Sequence, residues 1–363
     1  MKKINILLAI SLIFALAATG CGGTASSTAS SAAPPASESG GATAQSSSGS
    51  GTGGGTVIKL AHAAAPGSAR DLGAQKLKEV VEAETKGAVT VEIYPASQLG
   101  GGPDLIQGMQ LGSIEMVILP SSFMGGFQPL TTIMDIPFLF PDDYEKLMAV
   151  EAGPAGQKLK DSTSEVGITT LDIWHTGYKT FTCNSPLNTP ANFKGKKFRV
   201  MPSQIQIAQY ELLGAAAINM DFSETYNSLQ TGTIDGQENP LDTTFDMKFH
   251  EVQKYLTITH HGVLDQFIMA SKVWFDALDP TIRAAIVKGC EEGREVAVQN
   301  THLTEEKALK AFRDAGMEIK ELTAEERAQW VEALAPIKET YVKNYGEAAR
   351  EMLDLFEAEI AKS

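Results

Sequence analysis

Cysteine is nearly missing from this chain: three occur in 363 residues, at positions 21, 183 and 290, and their spacing matches no metal motif. Histidine is sparse as well. The six, at 62, 175, 250, 260, 261 and 302, include no pair at metal-ligand spacing on a helix around a glutamate. His260 and His261, if on a strand, face opposite ways and read as core or hinge residues. No GxSxG elbow, HExxH helix or paired-cysteine zinc site is present. Gly100 to Gly102 lack the spacing and the lysine of a P-loop and read as a tight turn, so no metal, nucleotide or other cofactor is expected. A secreted acid-processing enzyme survives only as a rival reading, without a visible nucleophile or base. Positive charge is also short. Lys and Arg number 30 against 44 Asp and Glu, a net charge of −14. That balance excludes nucleic acid and anionic lipid as partners, so an anionic ligand must be held by local cations.

What is present begins with MKKINILLAISLIFALAATGC. Lys2 and Lys3 precede an apolar run too short and wrongly flanked for a membrane-spanning helix, which reads as a secretory signal over residues 1–20. Ala18, Thr19 and Gly20 lead into Cys21, the arrangement of a bacterial lipoprotein signal in which the thiol takes a diacylglyceryl group. An ordinary signal with an incidental cysteine is the bland alternative. Residues 21–55 form a linker: past Cys21 they hold only Glu38 and Gln45 outside Gly, Ser, Ala, Thr and Pro, too little apolar surface to offset the entropy of ordering. The expected location is extracytoplasmic, lipid-anchored to the outer face of the cytoplasmic membrane.

From Val57 the pattern is globular. VIKLAHAAA reads as a strand, Ala69 to Glu84 as an amphipathic helix, VTVEIYP as a second strand, a helix starts at Pro103–Asp104, and IEMVILP is a third strand. This alternation predicts a mostly parallel sheet flanked by helices, with ligand chemistry at the carboxyl ends of its strands. A second block runs from GITTLDIWHTGYKTFTC through KKFRVMP, a helix from about Gln204 to Leu213, a strand near AINMDF and a helix over ETYNSLQTG. HGVLDQFIMASK is a further strand. Asp279 and Pro280 open a helix reaching about Asp314, at about 50 Å long enough to bridge two lobes. Thr323 and Glu326 form a capping box for C-terminal scaffold helices. The lobes are assigned as 56–176 plus 265–304 and 177–264 plus 305–363. Cys290 continues the helical face of Ile282, Ala285, Ile286 and Gly289, so it reads as a buried hydrophobe, with a disulfide to Cys183 as the alternative.

Four cations crowd six positions in FKGKKFRVMPS, Lys194 to Arg199, of this acidic chain. On a strand, Lys197 and Arg199 share one face, and a guanidinium at a strand end matches a carboxylate with paired donors; a solvated surface arginine is the plain alternative. Together with ASQLGG, DIPFLF, FSETYNSLQTGTIDGQENP and EVQKYLTITHH, this stretch resembles the solute-binding proteins of tripartite ATP-independent periplasmic (TRAP) transporters, the dicarboxylate-binding DctP family. The resemblance runs from Ile58 to the C-terminal helices.

It implies an α/β, two-lobe periplasmic-binding-protein-like fold with a hinged cleft, hinge strands near 174–180 and 261–268, and a receptor that delivers a small organic acid to a permease of small and large integral subunits. It places the carboxylate-binding arginine on Arg199, the asparagine of GQENP on Asn239 and an aromatic contact on Phe222. A second family arginine is replaced by Lys179, which keeps the charge and loses the fork. Pro202 stands where some relatives have a polar ligand contact. Trp174, His175, Ser121 and Ser122 are expected as secondary contacts. A receptor for another importer or a sensor is the milder alternative.

Overall fold

The computed structural model describes residues 55–363; the signal segment 1–20, Cys21 and the linker up to residue 54 lie outside the described residues. Eleven strands build two sheets: β1 (Thr56–His62), β2 (Val89–Tyr94), β3 (Met116–Pro120), β4 (Ile168–Tyr178), β5 (Thr180–Cys183), β6 (Lys197–Val200), β7 (Ala216–Asn219), β8 (Gly236–Asn239), β9 (Tyr255–Ile258), β10 (Val263–Ser271) and β11 (Glu318–Glu321). The first sheet has the order β2-β1-β3-β10-β4 and the second β11-β9-β5-β8-β6-β7. This is the two-lobe α/β fold expected.

The sheets are mixed rather than mostly parallel. β1 pairs in parallel with β2 and β3, and β6 with β7 and β8, as strand-helix-strand units require. β10 runs antiparallel to both β3 and β4, and β5 antiparallel to both β8 and β9. The cause is the chain path. β4 passes straight into β5 through Lys179, and β9 returns into β10 through residues 259–262, so two crossing segments run in opposite directions between the sheets. Lys179 N donates to Gly262 O at 2.8 Å, tying the two crossings together. Glycine is required at Gly177, whose φ is +100° and where a Cβ would stand 2.8 Å from Pro240 and 3.0 Å from Glu305 Oε1.

The helix Ala69–Glu84 starts where the sequence places it because Ser68 Oγ accepts from Asp71 N, and its apolar stripe of Ala74, Leu77 and Val81 faces the first sheet. The helix Pro280–Asp314 has 35 residues, about 52 Å at the usual rise. Its Ile286, Cys290 and Ala297 pack in the core of the first sheet, and its Ala308 and Phe312 pack with Leu256 and Met317 beside the second, so it bridges both lobes. These two helices touch backbone to backbone. A Cβ on Gly293 would stand 2.8 Å from Gly73 O and 2.8 Å from the Trp174 ring, which fills the space beneath.

Cys183 and Cys290 are both buried and free, one in the core of each lobe, so the disulfide alternative is not formed. The C-terminal segment also departs from the assigned lobes. β11 and Trp330 belong to the second lobe, the indole packing on Phe181 and Phe193 at 5.6 and 5.3 Å between ring centres. The helix Glu347–Ile360 instead buries Met352, Leu353 and Phe356 against Leu147, Val150 and Leu159 of the first lobe, with Phe140 at 5.5 Å from Phe356. The amphipathic pattern fixed that a face is buried but not against which sheet. Among the described residues no helix is long and apolar enough to cross a membrane.

Candidate functional site

Where the carboxyl ends of β1 and β3 face those of β6 and β8, a small cavity of about 10 Å³ is lined by Arg70, Arg199, Asn239, Phe222 and five further residues, Ala63, Pro120, Phe123, Met201 and Leu264. That is the room one water needs. Arg199, Asn239 and Phe222 are thus brought together. Arg199 stands on β6 and is only 3 % exposed. Its Nε donates to Met220 O at 3.3 Å, its guanidinium lies 5.3 Å from the centre of the Phe222 ring, and its Nη2 has no hydrogen-bond partner among the described residues. Burial pushes its pKa down to about 10, still charged at neutral pH. Asn239 ends β8, with Nδ2 donating to Gln237 Oε1 at 2.5 Å. Alternation along β6 explains the arrangement: Phe198 and Val200 point into the second-lobe core, leaving Arg199 on the cleft side.

Arg70 was not singled out from the sequence. It comes from the first lobe, is 5 % exposed, and its Nη2 donates to Thr243 Oγ1 at 3.0 Å while Nε is unpartnered among the described residues. A signal existed: a cation in the first turn of a helix opposes the dipole, so plain scaffold did not account for it.

The other expected contacts lie off the cavity. Lys179 is buried in the hinge, its Nζ donating to Asp135 Oδ1 at 3.1 Å and lying 3.3 Å from Glu238 Oε1. Glu238 Oε2 is 3.1 Å from His261 Nε2 and accepts from Tyr210 Oη at 2.8 Å and Gln209 Nε2 at 2.9 Å. Burial opposes the Glu238 charge, but Lys179 and His261 outweigh it and hold the carboxyl well below the usual range. Burial likewise opposes the Lys179 charge and is outweighed by Asp135 and Glu238, which raise its pKa. Ser122 joins this network, Oγ donating to Asp135 Oδ1 at 2.6 Å and accepting from Gln206 Nε2 at 3.2 Å; Ser121 beside it is buried, its carbonyl accepting from Thr131 Oγ1 at 3.4 Å. His175 Nδ1 is 2.7 Å from Asp265 Oδ1. Trp174 is a core residue, its Nε1 donating to Asp172 Oδ2 and Cys290 O, each at 3.1 Å, on the face of the first sheet covered by the long helix. Lys179, Ser122 and Trp174 spend their side-chain polar atoms on protein partners, and His175 spends Nδ1 on Asp265.

Behind the hinge a groove of about 580 Å³ is lined by Tyr178, His260, His302, Glu305 and Arg327 among others. His261 turns inward while His260 turns out to Asp142 at 2.9 Å. Burial, then Asp242, pushes Glu305 up to about 7, though His175 and His260 oppose this. Its carboxyl therefore keeps a proton in the fold that the unfolded chain releases, and stability falls as pH rises from about 4.5 through about 7. Glu305→Gln is expected to match the parent at pH 5 and to exceed it at pH 8 by on the order of 2 kcal/mol, allowing for partial exposure. Urea titrations at the two pH values check this; an equal effect at both would contradict it.

Residues 60–344 match the family model for the bacterial extracellular solute-binding proteins, family 7, DctP. The chain is 39 % identical over 295 residues to the C4-dicarboxylate-binding periplasmic protein DctP of Rhodobacter capsulatus, covering 80 % of this chain and 87 % of that protein. It is similar to the crystal structure of a TRAP periplasmic solute-binding protein from Desulfovibrio salexigens with bound orotic acid, with a TM-score of 0.82 and 36 % identity over 84 % of this chain and 99 % of that one. A TRAP periplasmic solute-binding protein from Shewanella oneidensis with bound succinate gives a TM-score of 0.80 and 31 % identity over 85 % of this chain and 100 % of that one. The cleft between two sheets and these matches over most of the chain lead to one assignment: this protein belongs to bacterial extracellular solute-binding protein family 7, the DctP family.

Proposed function

We propose that the protein is the extracytoplasmic receptor of a TRAP transporter, capturing a small organic acid anion in the cleft and delivering it to a permease of small and large integral subunits. The observation that carries this reading is Arg199: a buried guanidinium facing the cleft with a free Nη2, over an aromatic wall. Such a group binds a carboxylate strongly because water is excluded and its donors are fixed. The relatives with bound orotic acid and succinate both hold carboxylates. The role is capture rather than turnover. Lobes 56–176 plus 265–304 and 177–264 plus 305–334, with the last helices docked on the first, open about the crossings at 174–180 and 261–268, and the ligand shifts the population toward closure by its preference for the closed form. Lys179, His175, Ser121, Ser122 and Trp174 act behind the ligand rather than on it, holding the cleft wall.

A thermal-shift screen of organic acids against the purified protein tests the reading, since a ligand bound only by the fold raises Tm. Saturating cognate acid at about 100 times Kd is expected to add about 2.7 kcal/mol of stability. Silence across carboxylates, with response to an uncharged solute, would contradict it. The reading places a lipid on Cys21. Detergent phase partition checks that part: the parent enters the detergent phase and Cys21→Ala stays aqueous, whereas equal partition would remove the anchor from the account.

A further inference from the structure

Three cations are buried around the cleft, Arg70, Lys179 and Arg199, and three carboxylates with them, Asp135, Glu238 and Asp242. Asp71, bonded to His62, and the half-buried Asp246 add negative charge on the side of Arg70. The surroundings therefore carry more negative than positive charge before any ligand arrives, and beyond the one carboxylate that Arg199 can take, a further ligand charge is an excess in a medium of low dielectric. The two guanidiniums that reach the cavity are not equivalent. Arg199 has no acid within ion-pair distance among the described residues; the acid that acts on it most, Glu238, is committed to Lys179 and His261. Arg70 is clasped at Nη2 by Thr243, whose own N and Oγ1 donate to Asp242 Oδ1 at 2.5 and 3.1 Å, so its charge is shared with Asp242 through one side chain. Of the fully buried Arg70 nitrogens, Nε is the one left without a partner among the described residues. A guanidinium whose charge is already offset by two acids suits a neutral acceptor, a carbonyl, amide or hydroxyl oxygen, and disfavours a second carboxylate, which would face Asp242 and Asp246. Apart from these groups and Asn239, the walls are apolar: Ala63, Pro120, Phe123, Met201, Phe222 and Leu264. A polyhydroxylated body would leave its hydroxyls unpaired against them.

Resting on the receptor reading above, we propose that the site selects a monocarboxylate with an apolar body and a neutral acceptor at its far end, held by Arg199 at the carboxylate and by Arg70 Nε at the acceptor, in preference to a dicarboxylate of the same length. Arg70 is then the residue that sets specificity between the two.

Calorimetry on the full-length protein at about pH 7.5, where both carboxylates of a diacid are ionised, compares acids with their half-amides: succinate with succinamate, glutarate with glutaramate, terephthalate with 4-carbamoylbenzoate. Each pair has one size and differs in one charge. The half-amide of whichever pair fits is expected to bind at least about tenfold more tightly than its diacid, and to lose most of its advantage over the plain acid lacking the amide when Arg70 is changed to Met. If the Met variant does not fold, the pairs decide alone. A diacid that binds more tightly, in a manner abolished by Arg199→Ala, overturns this inference and leaves the receptor reading intact. Failure of every acid in the pairs to bind overturns this inference, and only silence across the whole organic-acid screen as well overturns the receptor reading.

Discussion

Arg199→Ala is expected to lower affinity for the cognate acid by at least about 3 kcal/mol, more than 100-fold, with little loss of folding stability. The two halves of that expectation come from one feature. Arg199 is buried with Nη2 unpartnered and a single long bond from Nε to Met220 O, so the protein gains little from the charge when no ligand is there. A carboxylate entering the cleft takes up the free donor where water cannot compete, and removing the guanidinium leaves that carboxylate buried and alone. Arg199→Lys keeps the charge and loses the paired donors, so it should fall between the parent and the alanine variant. Calorimetry for affinity and a thermal melt without ligand separate the effects. A variant that binds normally, or one that merely unfolds, would remove Arg199 from the account.

Lys179→Ala should act the other way round, mainly on stability. Its ammonium lies between Asp135 and Glu238, all three nearly inaccessible, and taking it away leaves two carboxylates buried without their shared cation. A loss on the order of 4 kcal/mol is expected, as for other broken buried pairs, which for a chain of this size lowers Tm by on the order of 10 °C. Glu238→Gln in the same background should restore a good part of it, because the orphaned charge is then gone. The sequence resemblance puts Lys179 in the position of a second ligand cation; the geometry commits it to the hinge. Unchanged stability with abolished binding would return it to the ligand.

The contrast between these two lysine and arginine positions shows what a sequence can and cannot say. Element type was legible because it rests on local rules: the helix at Ala69–Glu84, the capping box at Thr323 and Glu326 and the 35-residue bridge after Asp279 follow from caps and periodicity over neighbouring residues. Sheet direction was not, since β4, β5, β9 and β10 are set by where the chain crosses between lobes. Arg199 was legible as the odd cation on a strand whose neighbours alternate inward. Arg70 was not read as a site residue because its partners, Thr243 and Asp242, are more than 170 positions away in sequence. Lys179 and Ser122 were read as cleft residues because nothing local reveals that Asp135, Gln206 and Glu238 converge on them. Trp174 looked exposed to the cleft by its position at a crossing, and only the close approach of Gly73 and Gly293 shows that it lies under the helices instead.

The most direct test of the central claim is a crystal structure of the protein with its cognate acid. A ligand carboxylate oxygen within hydrogen-bonding reach of Arg199 Nη2, about 2.7–3.1 Å, with Phe222 and Asn239 against the same molecule, is the predicted result. A ligand carboxylate held elsewhere, with Nη2 still unpartnered, would contradict it.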